Sequence, residues 1–312
     1  MKWTKKDILD IESLSAEEID LILETAFGLK EISRRPIKKV PTLRGKTIVL
    51  FFLEPSTRTR ISFDIAAKRL SADSVAIAAA TSSIVKGETL LDTARNLQAM
   101  SPDIIVMRHS SAGAARMLAR SLDVSVINAG DGMHAHPTQA LLDMMTVKEA
   151  KGTLEGLNVS IIGDIAHSRV ARSDILGFSR MGAAVTVAGP ATMIPPGIDH
   201  LGAEVAKSVD DAVTGADVII MLRIQKERQR RFLFPTEREY AAQYGLNTAR
   251  LAKIKSDALI MHPGPMNRGV EICQEAADGP FSVILEQVAN GVALRMALYY
   301  LVSGGMRDAD AY

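Results

Sequence analysis

Five consecutive polar residues, Ser56-Thr57-Arg58-Thr59-Arg60, lie between an apolar run at residues 48–53 and a helix-patterned stretch at residues 61–70. The pattern predicts that this segment, the 56–60 turn, connects a buried strand to a helix. Such a turn presents unpaired backbone N–H groups and the positive end of the helix dipole. An arginine guanidinium adds a planar, permanently charged fork that binds two phosphate or carboxylate oxygens at once. The 56–60 turn therefore predicts a phosphate site, and the alternative is an arginine-rich helix start that pairs with nearby acids.

Short apolar runs alternate with helical patterns along almost the whole chain, which predicts parallel sheets flanked by helices. The length of 312 residues suggests two domains, so the expected fold is α/β with one sheet in each domain. The junction is expected at the helix that begins near Pro137, with Gly152 and Gly156 just beyond it. The strands predicted for the first domain are residues 48–53, 74–77, 104–107 and 124–127, and those for the second are residues 159–162, 184–188, 218–222 and 258–261.

Polar residues recur at the carboxyl ends of these predicted strands. Besides the 56–60 turn, they are Arg108-His109, residues 134–139, Arg169, Arg223-Ile224-Gln225 and His262-Pro263-Gly264-Pro265. Ligands of open parallel sheets bind beyond the carboxyl ends of the strands. We therefore expect two half-sites that face each other across a cleft between the domains. Because arginines outnumber acids in this set, the ligands are expected to be anionic at more than one point.

Composition and missing motifs argue against several classes of protein. The net charge of +1 argues against a general binder of nucleic acids or membrane surfaces. Neither half carries the G-x-G-x-x-G or G-x-x-x-x-G-K-[ST] motif, which argues against dehydrogenases and P-loop nucleotide-binding proteins. No Asp/Glu pair or nucleophile elbow stands at a strand end, so covalent catalysis is not indicated. The single cysteine, Cys273, excludes an intramolecular disulfide and a cysteine-based zinc site.

Neither end of the chain resembles a targeting or membrane segment. Ser15 and Glu18 predict a capping box at the start of a helix rather than a signal peptide. Residues 281–302 are strongly apolar, but Glu286, Asn290 and Arg295 interrupt them, so an amphipathic or buried helix is expected. The prediction is a soluble, cytoplasmic protein.

The motifs resemble those of the aspartate/ornithine carbamoyltransferase family, from about Thr42 to the last helix. Two elements are shared with the family as a whole, namely the 56–60 turn and His136-Pro137-Thr138-Gln139. Two others, K-G-E at residues 86–88 and R-x-Q-x-E-R at residues 223–228, resemble the aspartate branch. The ornithine branch typically has a cysteine in an H-C-L-P element where this chain has H-P-G-P at residues 262–265.

The resemblance implies a carbamoyl-phosphate-binding domain at residues 1–149 and an aspartate-binding domain at residues 150–285. A C-terminal helix, residues 286–312, would pack back on the first domain. The implied reaction is attack of the aspartate amine on the carbonyl carbon of carbamoyl phosphate, which gives N-carbamoyl-L-aspartate and phosphate in pyrimidine biosynthesis. The resemblance implies no metal and no organic cofactor, because the departure of phosphate drives the reaction.

The resemblance also assigns roles to individual residues. Carbamoyl phosphate is expected to bind Ser56, Thr57, Arg58, Thr59, Arg108, His136, Gln139 and the backbone carbonyls of Gly264 and Pro265. The residues expected to take part in catalysis are Thr59, Arg108, His136 and Lys86, and the first three would donate hydrogen bonds to the oxyanion of the tetrahedral intermediate. Aspartate is expected to bind Lys86, Arg169, Arg223 and Gln225, with two arginine forks for its two carboxylates. Ser82 and Lys86 are expected to come from a neighbouring subunit of a homotrimer.

Other interpretations stay open at several of these residues. The alternative roles are a core or helix-capping histidine for His136 and an ordinary surface lysine for Lys86. His134 and His136 have the spacing of metal ligands on a strand, but no further ligand cluster accompanies them. The basic run at residues 226–231 resembles a nucleic-acid patch, although the family uses this region as a loop that closes over aspartate.

Other assignments of the whole chain also stay open. The acceptor could be ornithine or another amino acid, although Arg223 and Gln225 argue against a cationic side chain. A two-domain binding protein for an anionic ligand would be expected to carry an export signal. Gly264 stands where the form with a separate regulatory chain has leucine, and residues 263–272 resemble versions that assemble with dihydroorotase. A larger assembly with dihydroorotase is therefore an alternative to the homotrimer alone.

Overall fold

The computed structural model describes residues 2–78, 87–225 and 233–304, which divide into two compact units. Unit 1 comprises Met1–Leu141 and Ala289–Tyr312, and unit 2 comprises Leu142–Val288, as far as these residues are described. Each unit contains a parallel sheet with helices beside it, which confirms the predicted α/β class with one sheet in each domain. The chain passes between the units within two helices rather than through loops.

Unit 1 contains a four-stranded parallel sheet. Its strands are β1 (Thr47–Phe52), β2 (Asp73–Ala78), β3 (Ile104–His109) and β4 (Ser125–Asp131), and they pair in the order β2-β1-β3-β4. All four were predicted, and β1 and β3 are buried almost throughout, as in parallel sheets that are covered on both faces. Strand β4 continues past its predicted end because its polar residues are bonded, and Asn128 Nδ2 donates to the Leu9 carbonyl at 2.8 Å.

Unit 2 contains a five-stranded parallel sheet. Its strands are β5 (Asn158–Ile162), β6 (Ala184–Ala188), β7 (Ala203–Val205), β8 (Val218–Met221) and β9 (Leu259–Met261), and they pair in the order β7-β6-β5-β8-β9. Four of the five were predicted. Strand β7 was not predicted, because this edge strand has three residues, two of them exposed, and therefore shows no apolar run.

The helices are numbered in chain order. They are α1 (Ala16–Lys30), α2 (Thr57–Arg69), α3 (Leu90–Ala99), α4 (Ala114–Ser121), α5 (Pro137–Lys151), α6 (Arg169–Arg180), α7 (Val209–Val213), α8 (Glu237–Tyr244), α9 (Thr248–Leu251), α10 (Gln274–Asp278) and α11 (Ile284–Val302). Helices α1 to α4 belong to unit 1 and α6 to α10 to unit 2, while α5 and α11 contribute residues to both. Short 3-10 helices lie at Glu31–Arg34, Ala191–Met193 and Ile198–Leu201.

The first and last helices follow the sequence signals. Ser15 Oγ accepts the Glu18 N–H at 3.2 Å and the Glu18 carboxylate accepts the Ser15 N–H at 2.8 Å, so the predicted capping box of α1 is confirmed. On α11, Arg295 is buried, donates to Ser62 Oγ of α2 at 3.0 Å and lies over the Phe63 ring. Among the described residues, no helix is long and apolar enough to cross a membrane.

Candidate active site

The 56–60 turn lies where β1 ends and α2 begins. Thr57 is the first residue of α2, and Ser56 is its N-cap residue, with an extended backbone. In the described structure the Ser56 hydroxyl makes no capping hydrogen bond, and the first turn of α2 holds no acidic residue. Capping hydroxyls and first-turn acids are the groups that usually balance a helix start. A bound anion here would accept hydrogen bonds from the N–H groups of the helix start and would balance the positive end of the helix dipole.

Arg108 lies beside this turn and is held by two acceptors. It precedes the last residue of β3, and the Leu53 N–H donates to its carbonyl oxygen at 2.9 Å. Its Nη2 lies 2.8 Å from Glu54 Oε1, and its Nη1 donates to the Ala129 carbonyl at 2.9 Å. Because the guanidinium is largely buried, these charge-assisted bonds fix its orientation. Glu54 was not among the predicted site residues, although an acid directly before a cationic turn is a signal that the sequence contains.

His136 and Gln139 lie at the junction of β4 and α5, and both side chains are buried. Their backbone follows Asp131, the last residue of β4. The Asp131 N–H donates to the Ala135 carbonyl at 3.1 Å, and the Asp131 carboxylate accepts the Ala135 N–H at 3.1 Å. These two bonds close the loop between β4 and α5, so they fix the point at which α5 starts and with it the backbone of both residues.

The Asp131 carboxylate also binds His134, whose Nδ1 lies 3.2 Å from Asp131 Oδ2. Burial raises the pKa of Asp131, but hydrogen bonds from His134, Asn128 and Gly113 outweigh burial and hold this pKa below its ordinary value. The carboxylate is therefore charged at neutral pH, and His134 is its partner in the loop that precedes His136. The part of the chain that the structure describes contains no group of three His, Cys, Asp or Glu residues that could hold a metal ion.

In unit 2, the residues after β5 and β8 lie together. Gly163 follows β5 with a φ of +131°, and a Cβ on it would lie 2.9 Å from the Leu222 carbonyl oxygen, so glycine is required for this approach. Asp164 Oδ2 accepts the Gln225 N–H at 3.2 Å, and Arg223 Nη2 donates to Gln225 Oε1 at 3.1 Å. The buried Asp164 carboxylate thus fixes the backbone of Gln225, and the side chain of Gln225 orients the Arg223 guanidinium.

Asp164 is fully buried and was not among the predicted site residues. Its Oδ1 lies 2.7 Å from His167 Nδ1, in the loop that leads to α6. Ser168 caps α6 by accepting the Ala171 N–H at 3.1 Å, and Arg169 is the first, buried residue of that helix. Asp164 therefore organises both loops that carry the predicted aspartate-binding arginines. The sequence does contain a signal for Asp164, because this acid directly follows Gly163 at the end of a predicted strand.

The H-P-G-P segment at residues 262–265 follows β9 and is bonded to the interior of unit 2. The His262 N–H donates to Gln287 Oε1 at 2.9 Å. The Gly264 N–H donates to His262 Nδ1 at 2.8 Å, and Gly264 has a φ of +65°, a value that favours glycine. The backbone carbonyls of Gly264 and Pro265 therefore belong to a segment whose shape is set by buried side chains.

Two predicted site residues, Ser82 and Lys86, lie outside the described residues, as does the basic run at residues 226–231. Within unit 1 the structure brings together the 56–60 turn, Glu54 and Arg108. Within unit 2 it brings together Asp164 and residues 223–225. Each group contains an arginine fork oriented by protein acceptors, an arrangement that suits phosphate and carboxylate groups.

Models of one protein family match most of the chain. The carbamoyl-phosphate-binding domain of aspartate/ornithine carbamoyltransferases matches residues 6–149, and the aspartate/ornithine-binding domain of the same family matches residues 155–302. The chain is 67% identical over 310 residues to the aspartate carbamoyltransferase catalytic subunit of Desulforapulum autotrophicum, with 99% of each chain covered. It is 61% identical over 311 residues to the corresponding subunit of Syntrophotalea carbinolica, with 100% of this chain and 99% of the relative covered.

Solved structures from both branches of this family have the same fold. The ornithine carbamoyltransferase of Pyrococcus furiosus has a TM-score of 0.88 at 32% identity, with 98% of this chain and 99% of that chain covered. The aspartate transcarbamoylase of Trypanosoma cruzi, in complex with carbamoyl phosphate and aspartate, has a TM-score of 0.85 at 26% identity, with 94% of each chain covered. The backbone alone therefore does not separate the two branches, whereas the identities of 67% and 61% are both to aspartate carbamoyltransferase catalytic subunits.

Proposed function

The chain belongs to the aspartate/ornithine carbamoyltransferase family, and we propose that it transfers the carbamoyl group of carbamoyl phosphate to the amine of L-aspartate. The products are N-carbamoyl-L-aspartate and phosphate, in a step of de novo pyrimidine biosynthesis. The observation that carries this assignment is the 67% identity, over almost the full length of both chains, to an aspartate carbamoyltransferase catalytic subunit.

The phosphate of the substrate is assigned to the 56–60 turn. The hydroxyls of Ser56, Thr57 and Thr59 and the N–H groups at the start of α2 would donate to its oxygens, and Arg58 would neutralise its charge. In the described structure Ser56 makes no capping bond and the first helical turn has no acid, which supports an anion at this position. Gln139 and the carbonyls of Gly264 and Pro265 are assigned to the carbamoyl NH₂.

The chemical step needs stabilisation of one developing negative charge. When the aspartate amine attacks the carbonyl carbon, the carbonyl oxygen becomes an oxyanion. The intermediate then expels phosphate with the electrons of the broken C–O bond, and the attacking nitrogen gives up one proton, which the departing phosphate accepts. Thr59, Arg108 and His136 are assigned as donors to this oxyanion, and a preorganised donor of this kind contributes about 3 kcal/mol to the lowering of the barrier. The bonds from Arg108 to Glu54 and Ala129 supply that preorganisation.

The two carboxylates of aspartate are assigned to Arg169 and Arg223, with Gln225 and Lys86 as further donors. The buried carboxylate of Asp164 holds Gln225, and Gln225 holds the Arg223 guanidinium. A guanidinium held in this way loses little side-chain entropy when it binds a carboxylate, so its two N–H donors are well suited to bidentate recognition.

Carbamoyl transfer to ornithine is the second candidate, because the ornithine carbamoyltransferase of Pyrococcus furiosus is also similar over 98% of this chain. A cationic acceptor side chain would be repelled by Arg223 and would need an acid to balance it. Asp164, which accepts the N–H of Gln225, is fully buried and is also bonded to His167. The charge of the Arg223 guanidinium therefore favours an anionic acceptor.

A direct assay tests the assignment. Purified full-length protein is incubated with carbamoyl phosphate and either L-aspartate or L-ornithine, and the products are separated and quantified. We expect N-carbamoyl-L-aspartate from the first mixture and no citrulline above the protein-free background from the second. Formation of citrulline at a higher rate than N-carbamoyl-L-aspartate would overturn the assignment in favour of the ornithine branch.

We also infer a homotrimer in which Ser82 and Lys86 complete the site of the neighbouring subunit. The support is the family resemblance at residues 86–88, since both side chains lie outside the described residues. A larger assembly with dihydroorotase is supported only by the sequence at residues 263–272. A cytoplasmic location is inferred from the place of the reaction in nucleotide synthesis.

A further inference from the structure

Four polar side chains of unit 2 form a buried cluster at the H-P-G-P segment. They are Asp143 on α5, His262 after β9, Glu271 before α10 and Gln287 on α11, and each is at most 2% exposed. The proposed mechanism uses none of these side chains. Because burial of a polar group costs free energy unless the group is hydrogen-bonded, such a cluster calls for a role other than packing.

Gln287 connects the H-P-G-P segment to α5. Its Oε1 accepts the His262 N–H at 2.9 Å, and its Nε2 donates to Asp143 Oδ1 at 2.6 Å. A backbone N–H can only donate, so the amide oxygen of Gln287 must face the segment and the amide NH₂ must face the carboxylate. The two partners therefore allow a single orientation of the glutamine, and this orientation holds the first residue of the segment.

The His262 ring holds the segment a second time. The Gly264 N–H donates to its Nδ1 at 2.8 Å, so Nδ1 carries no proton and the ring proton lies on Nε2. His262 Nε2 is 3.3 Å from Glu271 Oε1, which also accepts the Asn267 N–H. The neutral ring thus lies between the backbone of Gly264 and a fully buried carboxylate, which fixes both its tautomer and its position.

These bonds flank the carbonyls of Gly264 and Pro265. Pro263 and Pro265 have no N–H, so the segment has few backbone donors with which to anchor itself. The N–H groups at residues 262, 264 and 267 all donate to side chains of the buried cluster. The cluster therefore fixes the backbone on both sides of the two carbonyls and determines where their oxygens lie.

We propose that His262 and Gln287 are positioning residues that set selectivity for a carbamoyl NH₂ over a methyl group. They hold the Gly264 and Pro265 carbonyls where both can accept hydrogen bonds from that NH₂. This inference rests on the proposed function, which assigns these carbonyls to carbamoyl phosphate. A substrate without the NH₂ would leave the oriented carbonyls without a hydrogen-bond donor. Unpaired polar groups of this kind weaken binding of the wrong substrate strongly.

Acetyl phosphate is the matched probe for this selectivity. It has a methyl group in place of the carbamoyl NH₂ and keeps the carbonyl and the phosphate. The ratio of the dissociation constant of acetyl phosphate to that of carbamoyl phosphate therefore measures the contribution of the two carbonyls. Inorganic phosphate measures the phosphate site alone, so loss of its binding reports general damage instead.

The test compares three variants with a control. His262→Leu removes the acceptor for the Gly264 N–H, whereas His262→Asn keeps one, because an asparagine side chain can accept the N–H two residues on. Gln287→Met keeps the approximate shape and removes both bonds of the glutamine. The control is His200→Leu, at a surface histidine of the same unit whose side chain is 85% exposed.

We expect the ratio of dissociation constants to fall by about tenfold or more in His262→Leu and Gln287→Met. In His262→Asn and His200→Leu it should stay within about threefold of wild type, and phosphate binding should change less than about twofold in all four. A wild-type ratio in His262→Leu and Gln287→Met would overturn the proposal. Equal weakening of acetyl phosphate and carbamoyl phosphate would also overturn it, because general damage has that effect.

The remaining outcomes are also decisive. A His262→Asn protein with the ratio of the leucine variant would overturn the role given to Nδ1. If His262→Leu does not fold, as judged by its thermal melt, Gln287→Met and His262→Asn decide the matter by the same ratio. The dissociation constants are measured without an acceptor, so they are independent of the aspartate assay. Failure of that assay would overturn the proposed function, whereas an unchanged ratio in an active enzyme overturns only this inference.

Discussion

Arg108 and Arg223 are both oriented by protein acceptors, and one acceptor of Arg108 carries a charge. Arg108 Nη2 lies 2.8 Å from the Glu54 carboxylate, whereas Arg223 Nη2 donates to the neutral amide of Gln225 at 3.1 Å. A carboxylate partner offsets the charge of its arginine toward a substrate anion, and an amide partner does not. The Glu54 carboxylate offsets part of the charge of Arg108, which suits this arginine to donate to an oxygen whose charge develops during the reaction.

Replacement of Arg223 tests the assignment of the aspartate carboxylates. In Arg223→Ala, we expect the KM for aspartate to rise by about tenfold to a hundredfold, because a charge-assisted bidentate contact is lost. The KM for carbamoyl phosphate should change by less than about threefold, since its contacts are assigned elsewhere. The matched control is Arg268→Ala in the same unit, where an exposed arginine pairs with Asp278. An effect on carbamoyl phosphate alone would mean that the two binding roles are reversed.

Replacement of Arg58 tests the phosphate role of the 56–60 turn. In Arg58→Ala, kcat should fall by about a hundred- to a thousandfold, because the lost contact strengthens as charge moves onto the leaving phosphate. The apparent Tm should stay near that of wild type. Arg34→Ala is the control, since Arg34 is 65% exposed and pairs with Glu31 in the same unit. Near-normal turnover in folded Arg58→Ala protein would remove the basis for placing phosphate at this turn.

The sequence identified the cations of the site more readily than the acids that hold them. The position of the 56–60 turn follows from local patterning, because five polar residues interrupt a strand-to-helix sequence. Glu54 and Asp164 act on partners 54 and 61 positions away in the chain, Arg108 and Gln225. Such pairs depend on which strands become neighbours in the sheet, and a single sequence does not show that order.

At the scale of secondary structure, buried strands were predicted from their apolar runs, and the failures occurred where burial is partial or polar. Strand β7 has only Ala203 buried among its three residues, so it leaves no periodic signal. Strand β4 continues through Asn128 to Asp131, two polar residues that are bonded to each other at 2.9 Å within the unit. Polar residues that are satisfied by tertiary contacts look like a strand end in the sequence.

A buried carboxyl group on α6, that of Asp174, makes the stability of the fold depend on pH. Asp174 on α6 is fully buried, and neither of its carboxylate oxygens has a hydrogen-bond partner among the described residues. Burial, together with the charge of Asp143 on α5, raises the pKa of Asp174 well above its ordinary value. The folded protein therefore retains a proton that the unfolded chain loses above about pH 4. Stability is then lost as the pH rises from that value toward the folded-state pKa.

Asp174→Asn should remove this dependence, because asparagine resembles the neutral acid and does not titrate. Within the affected window, the free energy of unfolding of wild type should fall by up to about 1.4 kcal/mol per pH unit relative to the variant. The measurement is the apparent Tm of both proteins between pH 4.5 and 8, with Asp199→Asn, an exposed acid of the same unit, as control. The Tm advantage of Asp174→Asn should grow with pH, and a constant difference would show that Asp174 does not hold a proton.

At the scale of the whole molecule, the proposed site requires more than one copy of the chain. The described residues of a single chain supply the 56–60 turn, Arg108, Arg169 and Arg223, whereas Ser82 and Lys86 are assigned to a neighbour. A closed ring with head-to-tail interfaces would give every site the turn of one subunit and the Lys86 of the next. In such a ring, a complete site needs an intact Arg58 in one subunit and an intact Lys86 in the next. Subunits that lack different residues can therefore complement each other.

Hybrid rings test the shared site. Lys86→Gln and Arg58→Ala homotrimers should each be nearly inactive, because every site lacks one essential group. When the two are dissociated, mixed equally and reassembled, each hybrid trimer has one site that combines an intact Arg58 with an intact Lys86, so about a quarter of all sites should recover in a random mixture. The control is the same mixture without dissociation, which should stay inactive. A reassembled mixture no more active than its parents, with subunit exchange verified by mass, would show that Lys86 serves its own subunit or has no role in the site.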